Sequence, residues 1–181
     1  MLAALLLIPA FFVEAGEAAP NLPGKKVIEI KKGETPISLV SFQEGGYREQ
    51  SFTATKPFYA VSACVATWAA DDAKVELFLY KEGMDEGAPT YDLIKRKTFE
   101  NVSDGEWLML EFDKPVPAGK NRNYSLVMKG IPGTVGWYGA EACPDIQDMP
   151  TVIIHESDLG AWYGKTEPAI PFSMRLYVEE E

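Results

Sequence analysis

The stretch Glu106-Trp107-Leu108-Met109-Leu110-Glu111-Phe112 decides the fold. Successive side chains of a strand point to opposite faces, so Leu108, Leu110 and Phe112 share one face and Trp107, Met109 and Glu111 the other. The same alternation holds in Val75-Glu76-Leu77-Phe78-Leu79-Tyr80, and again near the end, where Phe172, Met174, Leu176 and Val178 alternate with Ser173, Arg175 and Tyr177. Each stretch has an aliphatic inner face and an outer face that carries aromatics. Those outer rings need a cover, which is either the long segment from Glu141 to Pro171 or a partner molecule.

Further strands of this kind are predicted at 26–32, 37–42, 48–53, 58–68, 93–99, 123–129, 134–139 and 151–154, in addition to 74–81, 106–113 and 172–178. Turn chemistry separates them, as in Glu44-Gly45-Gly46, Ser103-Asp104-Gly105 and Pro117-Ala118-Gly119. No segment carries an apolar stripe of helical period. The sequence therefore predicts an all-β chain, a jelly-roll β-sandwich of roughly 8–10 antiparallel strands in one domain over residues 26–181.

Before that domain, Leu2 to Val13 form an apolar run too short to span a bilayer of about 30 Å, and Pro9 interrupts it. Small residues follow, with Gly16-Glu17-Ala18 as a cleavage pattern. Residues 1–18 read as a signal peptide and 19–25 as a linker, so the expected location is secreted, periplasmic or cell-surface, with no transmembrane helix after processing. In an oxidising compartment Cys64 and Cys143 could close a loop of about eighty residues, worth about 4 kcal/mol in the chain-entropy picture. The other reading of Cys64, which lies in an apolar strand pattern, is a buried free thiol.

Composition excludes several functions. With 17 Lys+Arg against 27 Asp+Glu the 181-residue chain carries a formal charge of −10, so a phosphate backbone is repelled and nucleic acid is not an expected partner. One histidine and two cysteines do not make a structural zinc site. His155 lies in no nucleophile motif, and phosphate-binding and dinucleotide-binding glycine patterns are absent from the sequence. No enzyme and no cofactor are expected. A structural calcium is the one ion the loop acids Asp71, Asp72, Asp85, Glu86, Asp145 and Asp148 leave open, and no metal ligands can be assigned.

The aromatic positions flanked by glycine carry the strongest chemical hint. Trp137-Tyr138 and Trp162-Tyr163 each sit between glycines that let the backbone bend, and a flat ring can stack on the C–H face of a sugar. Asp158 and Lys165 would supply polar contacts, and the long 141–171 segment that holds them is the kind of loop where function concentrates. Alternation sends Trp137 and Tyr138 to opposite faces, so one of the two is expected in the core.

The order Gln50-Ser51-Phe52-Thr53-Ala54, Pro57-Phe58, Ala66-Thr67-Trp68, Val75 to Tyr80, then Phe99 to Leu108, Pro117-Ala118-Gly119 and Gly136-Trp137-Tyr138 resembles galactose-binding-domain-like β-sandwich modules that accompany bacterial glycoside hydrolases. The likeness covers roughly residues 48–178. It implies a jelly roll of eight to ten strands, an extracytoplasmic location, and carbohydrate binding through loops at one end of the sandwich, in some members with a structural calcium. Those modules usually adjoin a catalytic domain, for which this chain has no room. The expected function is an exported, non-catalytic carbohydrate-binding protein using Trp137, Tyr138, Trp162, Tyr163, Asp158 and Lys165. The alternative is a cell-surface or periplasmic structural module that meets an envelope protein through Phe78, Tyr80 and Trp107.

Overall fold

A computed structural model describes residues 22–30, 32–42, 45–68, 72–119, 122–131, 134–140 and 172–180. Their regular elements are all strands: β1 (Lys25–Ile30), β2 (Lys32–Ser38), β3 (Val40–Phe42), β4 (Gly45–Thr53), β5 (Phe58–Thr67), β6 (Ala73–Asp85), β7 (Ala88–Val102), β8 (Trp107–Val116), β9 (Asn123–Gly130), β10 (Val135–Ala140) and β11 (Met174–Glu179). They pair antiparallel in two sheets, a sandwich compatible with a jelly roll. One sheet runs β3-β4-β9-β6-β7. In the other, β5 is central, with β8 on one side and both β11 and β10 on the other.

Those last two strands lie end to end, β11 along Phe58 to Ala63 and β10 along Val65 to Thr67. Beyond them β1 pairs with β11 and β2 with β10, again end to end. Across its width the sheet therefore reads β1/β2, β11/β10, β5, β8, so the described residues form eleven strands, against the roughly 8–10 that the sequence predicts.

The inner faces are those read from alternation. Leu108 and Leu110, Val75, Leu77 and Leu79, and Phe172, Met174, Leu176 and Val178 all join one buried core, with Phe112 packed against it. Apolar area removed from water on both inner faces at once holds the sheets together. The predicted strand at 37–42 divides in two at Leu39, which is buried and donates its N–H to the Val135 carbonyl. There the chain leaves one sheet for the other, from β2 beside β10 to β3 beside β4. The hairpin of β6 and β7 is longer than predicted, because its tip turns through Glu86 and Gly87 at φ 47° and 83°. The signal segment 1–18 and the predicted strand at 151–154 lie outside the described residues. Among the described residues no helix is long and apolar enough to cross a membrane.

Candidate functional site

Two irregularities at one side of the sandwich open a cleft of about 730 Å³. In β8 the ladder to β5 steps from Glu111, opposite Ala60, to Val116, opposite Phe58. Four residues, Phe112 to Pro115, thus answer the single Tyr59 on β5 and swing away from the ladder. Pro115 has no N–H to give to a ladder, which is reason enough for the strand to let go there. In β7 the ladder to β6 steps from Lys95, opposite Leu79, to Leu93, opposite Tyr80, and leaves Ile94 as an unpaired bulge. A bulge re-aims its side chain, and Ile94 lines the cleft.

The floor is anchored in the core. Phe112 meets Phe58 edge to face at 5.9 Å between centroids, and Tyr124 meets Phe58 at 5.4 Å. The Tyr124 hydroxyl donates to the Pro117 carbonyl. Burial pushes that hydroxyl above the usual tyrosine range, while the Arg122 guanidinium beside it pulls the other way. The rim carries Lys81, Lys95, Lys114 and Arg122 against one carboxylate, Asp113. Lys95 donates to the Glu111 carbonyl and holds its ammonium 5.7 Å over the Phe112 ring. One register pair along, Lys97 donates to the Met109 carbonyl. Lysines of the edge strand β7 thereby cap carbonyls of the facing edge strand β8, which closes the sandwich edge against pairing with another chain.

The sequence-predicted site residues fall elsewhere. Trp137 is wholly buried on β10, stacked on Phe172 at 4.9 Å, and its indole N–H donates to the Ser173 carbonyl at 2.8 Å. It presents no ring face to solvent, and it is the member of the pair that alternation sends to the core. Tyr138 points to the other face, 8% exposed, with its hydroxyl donating to Asp104 at 2.9 Å and the Lys32 ammonium 3.9 Å above its ring. Trp162, Tyr163, Asp158 and Lys165, like His155, lie outside the described residues. The ends of the segment that carries them are pinned together, since Gly139 bridges Phe172 and Ser173 donates its N–H and hydroxyl to the Tyr138 carbonyl.

The outer aromatics are covered, and the covers identified are cations. Arg175 lies 3.6 Å over Trp107, and Arg96 and Lys129 lie 5.2 Å and 4.9 Å from the Phe78 centroid. Phe78 and Trp107 are buried, and Tyr80, half-buried, stacks on Phe78 at 6.1 Å between centroids. Cys64 is a buried thiol that donates to the Gly105 carbonyl and forms no disulfide among the described residues, and Cys143 lies outside them. Among the described residues no three His, Cys, Asp or Glu side chains are grouped to hold a metal ion, so the possible calcium has no ligand set there.

One arrangement escaped the sequence reading. On the outer face of the β3-β4-β9-β6-β7 sheet, Ser125 Oγ lies 2.5 Å from a carboxylate oxygen of Glu49 and 2.5 Å from one of Glu82, with Ser51 Oγ 2.6 Å from the same Glu82 oxygen. Two hydroxyl protons suffice for one bond to each carboxylate, from Ser125 to Glu49 and from Ser51 to Glu82. Glu49 is 3% exposed, so the pair is a buried polar network of the sheet and not two carboxylates facing across a cleft. Register alone brings it together, because Ser51 sits opposite Ser125 and Ser125 opposite Tyr80 on three adjacent strands. No signal in any single strand could have shown it.

No family model and no curated protein matches the chain.

Proposed function

We propose that the chain is an exported, non-catalytic carbohydrate-binding protein, of the galactose-binding-like jelly-roll kind, and that its ligand sits in the cleft over Phe112. The observation that carries this reading is the combination of a concave apolar floor, made by Phe112, Ile94 and Tyr124, with a rim of long hydrogen-bonding side chains around about 730 Å³. Small-ligand sites of about 300–1,000 Å³ are built in this way, with aromatic and aliphatic walls for area and a few polar groups for orientation. A sugar ring has the matching surfaces, a C–H face for Phe112 and hydroxyls for Asp113 and the lysines. The packing of Phe112 and Tyr124 on Phe58 holds the floor in place before any ligand arrives, which reduces the ordering cost of binding.

The test is a broad glycan array with the full chain, with and without calcium, followed by titration calorimetry of any hit. Ile94→Trp fills the cleft from an exposed bulge position and is expected to weaken binding at least about tenfold with an unchanged melting temperature. Trp162→Ala reads separately whether the 141–171 segment contributes. A blank array from a folded chain, or a hit indifferent to Ile94→Trp, overturns the assignment of this cleft.

A further inference from the structure

The charge of the cleft opposes the charge of the protein. The chain as a whole carries −10, yet four cations and one carboxylate line this cleft. Four cations elsewhere are matched by carboxylates, Lys25 by Glu179, Lys74 by Glu100, Arg96 by Glu76 and Arg175 by Glu29, and Lys32, Lys97 and Lys129 lie over aromatic rings. Among the described residues no carboxylate pairs with Lys81, Lys114 or Arg122. In a chain with acid in excess, leaving three neighbouring cations without carboxylates keeps a positive pocket in a negative surface.

The three cations come from different elements: Lys81 from β6, Lys114 from the excursion of β8, and Arg122 from the lead into β9. Lys81 and Tyr124 are register partners, and the Arg122 guanidinium lies close enough to the hydroxyl of that same tyrosine to pull its pKa down, so two of the cations sit beside the wall of the cleft. A guanidinium presents parallel N–H donors that fit a carboxylate or sulfate, and two ammonium groups nearby act as point charges.

Resting on the carbohydrate reading, we propose that the ligand is an anionic saccharide, a uronic or sulfated sugar whose acid group lies among Lys81, Lys114 and Arg122 while a ring face lies on Phe112. The negative field of the rest of the protein then limits the site to short or sparsely charged stretches, because a dense polyanion is repelled beyond the cleft.

The experiment is calorimetry of the full chain with trigalacturonate, with its neutral counterpart galactotriose, with a sulfated galactose oligomer and with inorganic sulfate, at low and physiological salt. Trigalacturonate or the sulfated oligomer is expected to bind at least about tenfold tighter than the neutral sugar, with a preference that shrinks as salt rises. Lys114→Gln and Arg122→Gln, both at exposed positions, are each expected to remove most of that preference without lowering the melting temperature. Equal binding of acidic and neutral sugars, both abolished by Ile94→Trp, overturns the anionic class and leaves the carbohydrate reading standing. Binding of sulfate alone, with no saccharide of either kind, overturns the carbohydrate reading. Acidic binding that ignores both charge variants overturns the placement of the acid group.

Discussion

Trp137→Ala is expected to cripple the fold rather than a binding surface. The indole is wholly buried, stacks on Phe172 at 4.9 Å with planes 20° apart, and donates to the Ser173 carbonyl at 2.8 Å. Truncating a buried Trp to Ala typically costs about 3–5 kcal/mol through lost transfer energy and the cavity left behind. The buried Ser173 carbonyl loses a partner as well, at about 1–3 kcal/mol. Against a usual domain stability of about 5–15 kcal/mol the loss is a large share. With a urea slope near 2 kcal/mol/M it moves the midpoint down by about 2 M or leaves no folded baseline. Trp137→Phe keeps the stack on Phe172 and loses the hydrogen bond, so its shift is about half as large. Trp68→Ala, at a position 43% exposed, is the control and is expected to move stability by no more than about 1 kcal/mol. The assay is urea unfolding followed by far-ultraviolet circular dichroism. A Trp137→Ala chain within about 1 kcal/mol of the parent would show that Trp137 is not a core residue, and would return it to the list of binding residues.

Ser125→Ala is expected to lower stability by about 2 kcal/mol in the same assay, since the hydroxyl bridges Glu49 and Glu82 in a buried setting; no change would mean the two carboxylates are solvated instead. Tyr138 is pushed up to about 12, first by burial and then by its bond to Asp104, so its contribution to stability is whole below pH 10 and is lost as the pH rises towards 12. Urea midpoints across that window should fall less steeply in Tyr138→Phe than in the parent. Glu86→Asn relieves a non-glycine residue at φ 47° and should raise the melting temperature by the equivalent of about 0.5–1 kcal/mol; a decrease would place that turn in another conformation. Tyr177→Phe removes a buried hydroxyl with no partner among the described residues and should be neutral or stabilising by up to about 1 kcal/mol, so a clear loss of stability would show that the hydroxyl is bonded.

The strands that could be read from sequence are those whose two faces meet different surroundings. β8, β6 and β11 alternate because one face enters the aliphatic core and the other meets aromatic and cationic neighbours. The end of the β6 and β7 hairpin was not legible for the opposite reason. From Lys81 to Leu93 both strands are exposed or half-exposed, so no face demands apolar residues and no period develops. The division at Leu39 is hidden because a strand that changes sheets keeps its alternation while it changes its partners. The glycines around Trp137, which suggested a bend exposing a ring, instead hold the strand predicted at 134–139, with Gly136 in the ladder between Ser38 and Ala66 and Gly139 bridging Phe172. The cleft was invisible because it is made by departures from two ladders on strands far apart in sequence. Only Pro115 marked one of them.

The outer faces of the sandwich and its edge do different work, and small residues on β5 explain why. Its outward positions are Ala60, Ser62, Cys64 and Ala66, all buried. Larger side chains on the flanking strands close over them. Tyr177 and Met109 meet above Ala60, and Trp107 and Tyr138 meet above Cys64 and Ala66. Arg175, opposite Ser62, reaches across to lie on Trp107 while holding Glu29 at 3.0 Å. The aromatic face that the alternation pattern offers as a binding surface is thus spent on a second layer of packing, with cations closing it towards water. The edge between β7 and β8 meets the reverse condition. Its lysines close the ladder, its two irregularities open a hollow, and three of its cations meet no carboxylate among the described residues. On the proposed reading, recognition gathers where the regular pairing fails, and substitutions at Ile94, Lys114 and Arg122 should alter it at little cost to the core.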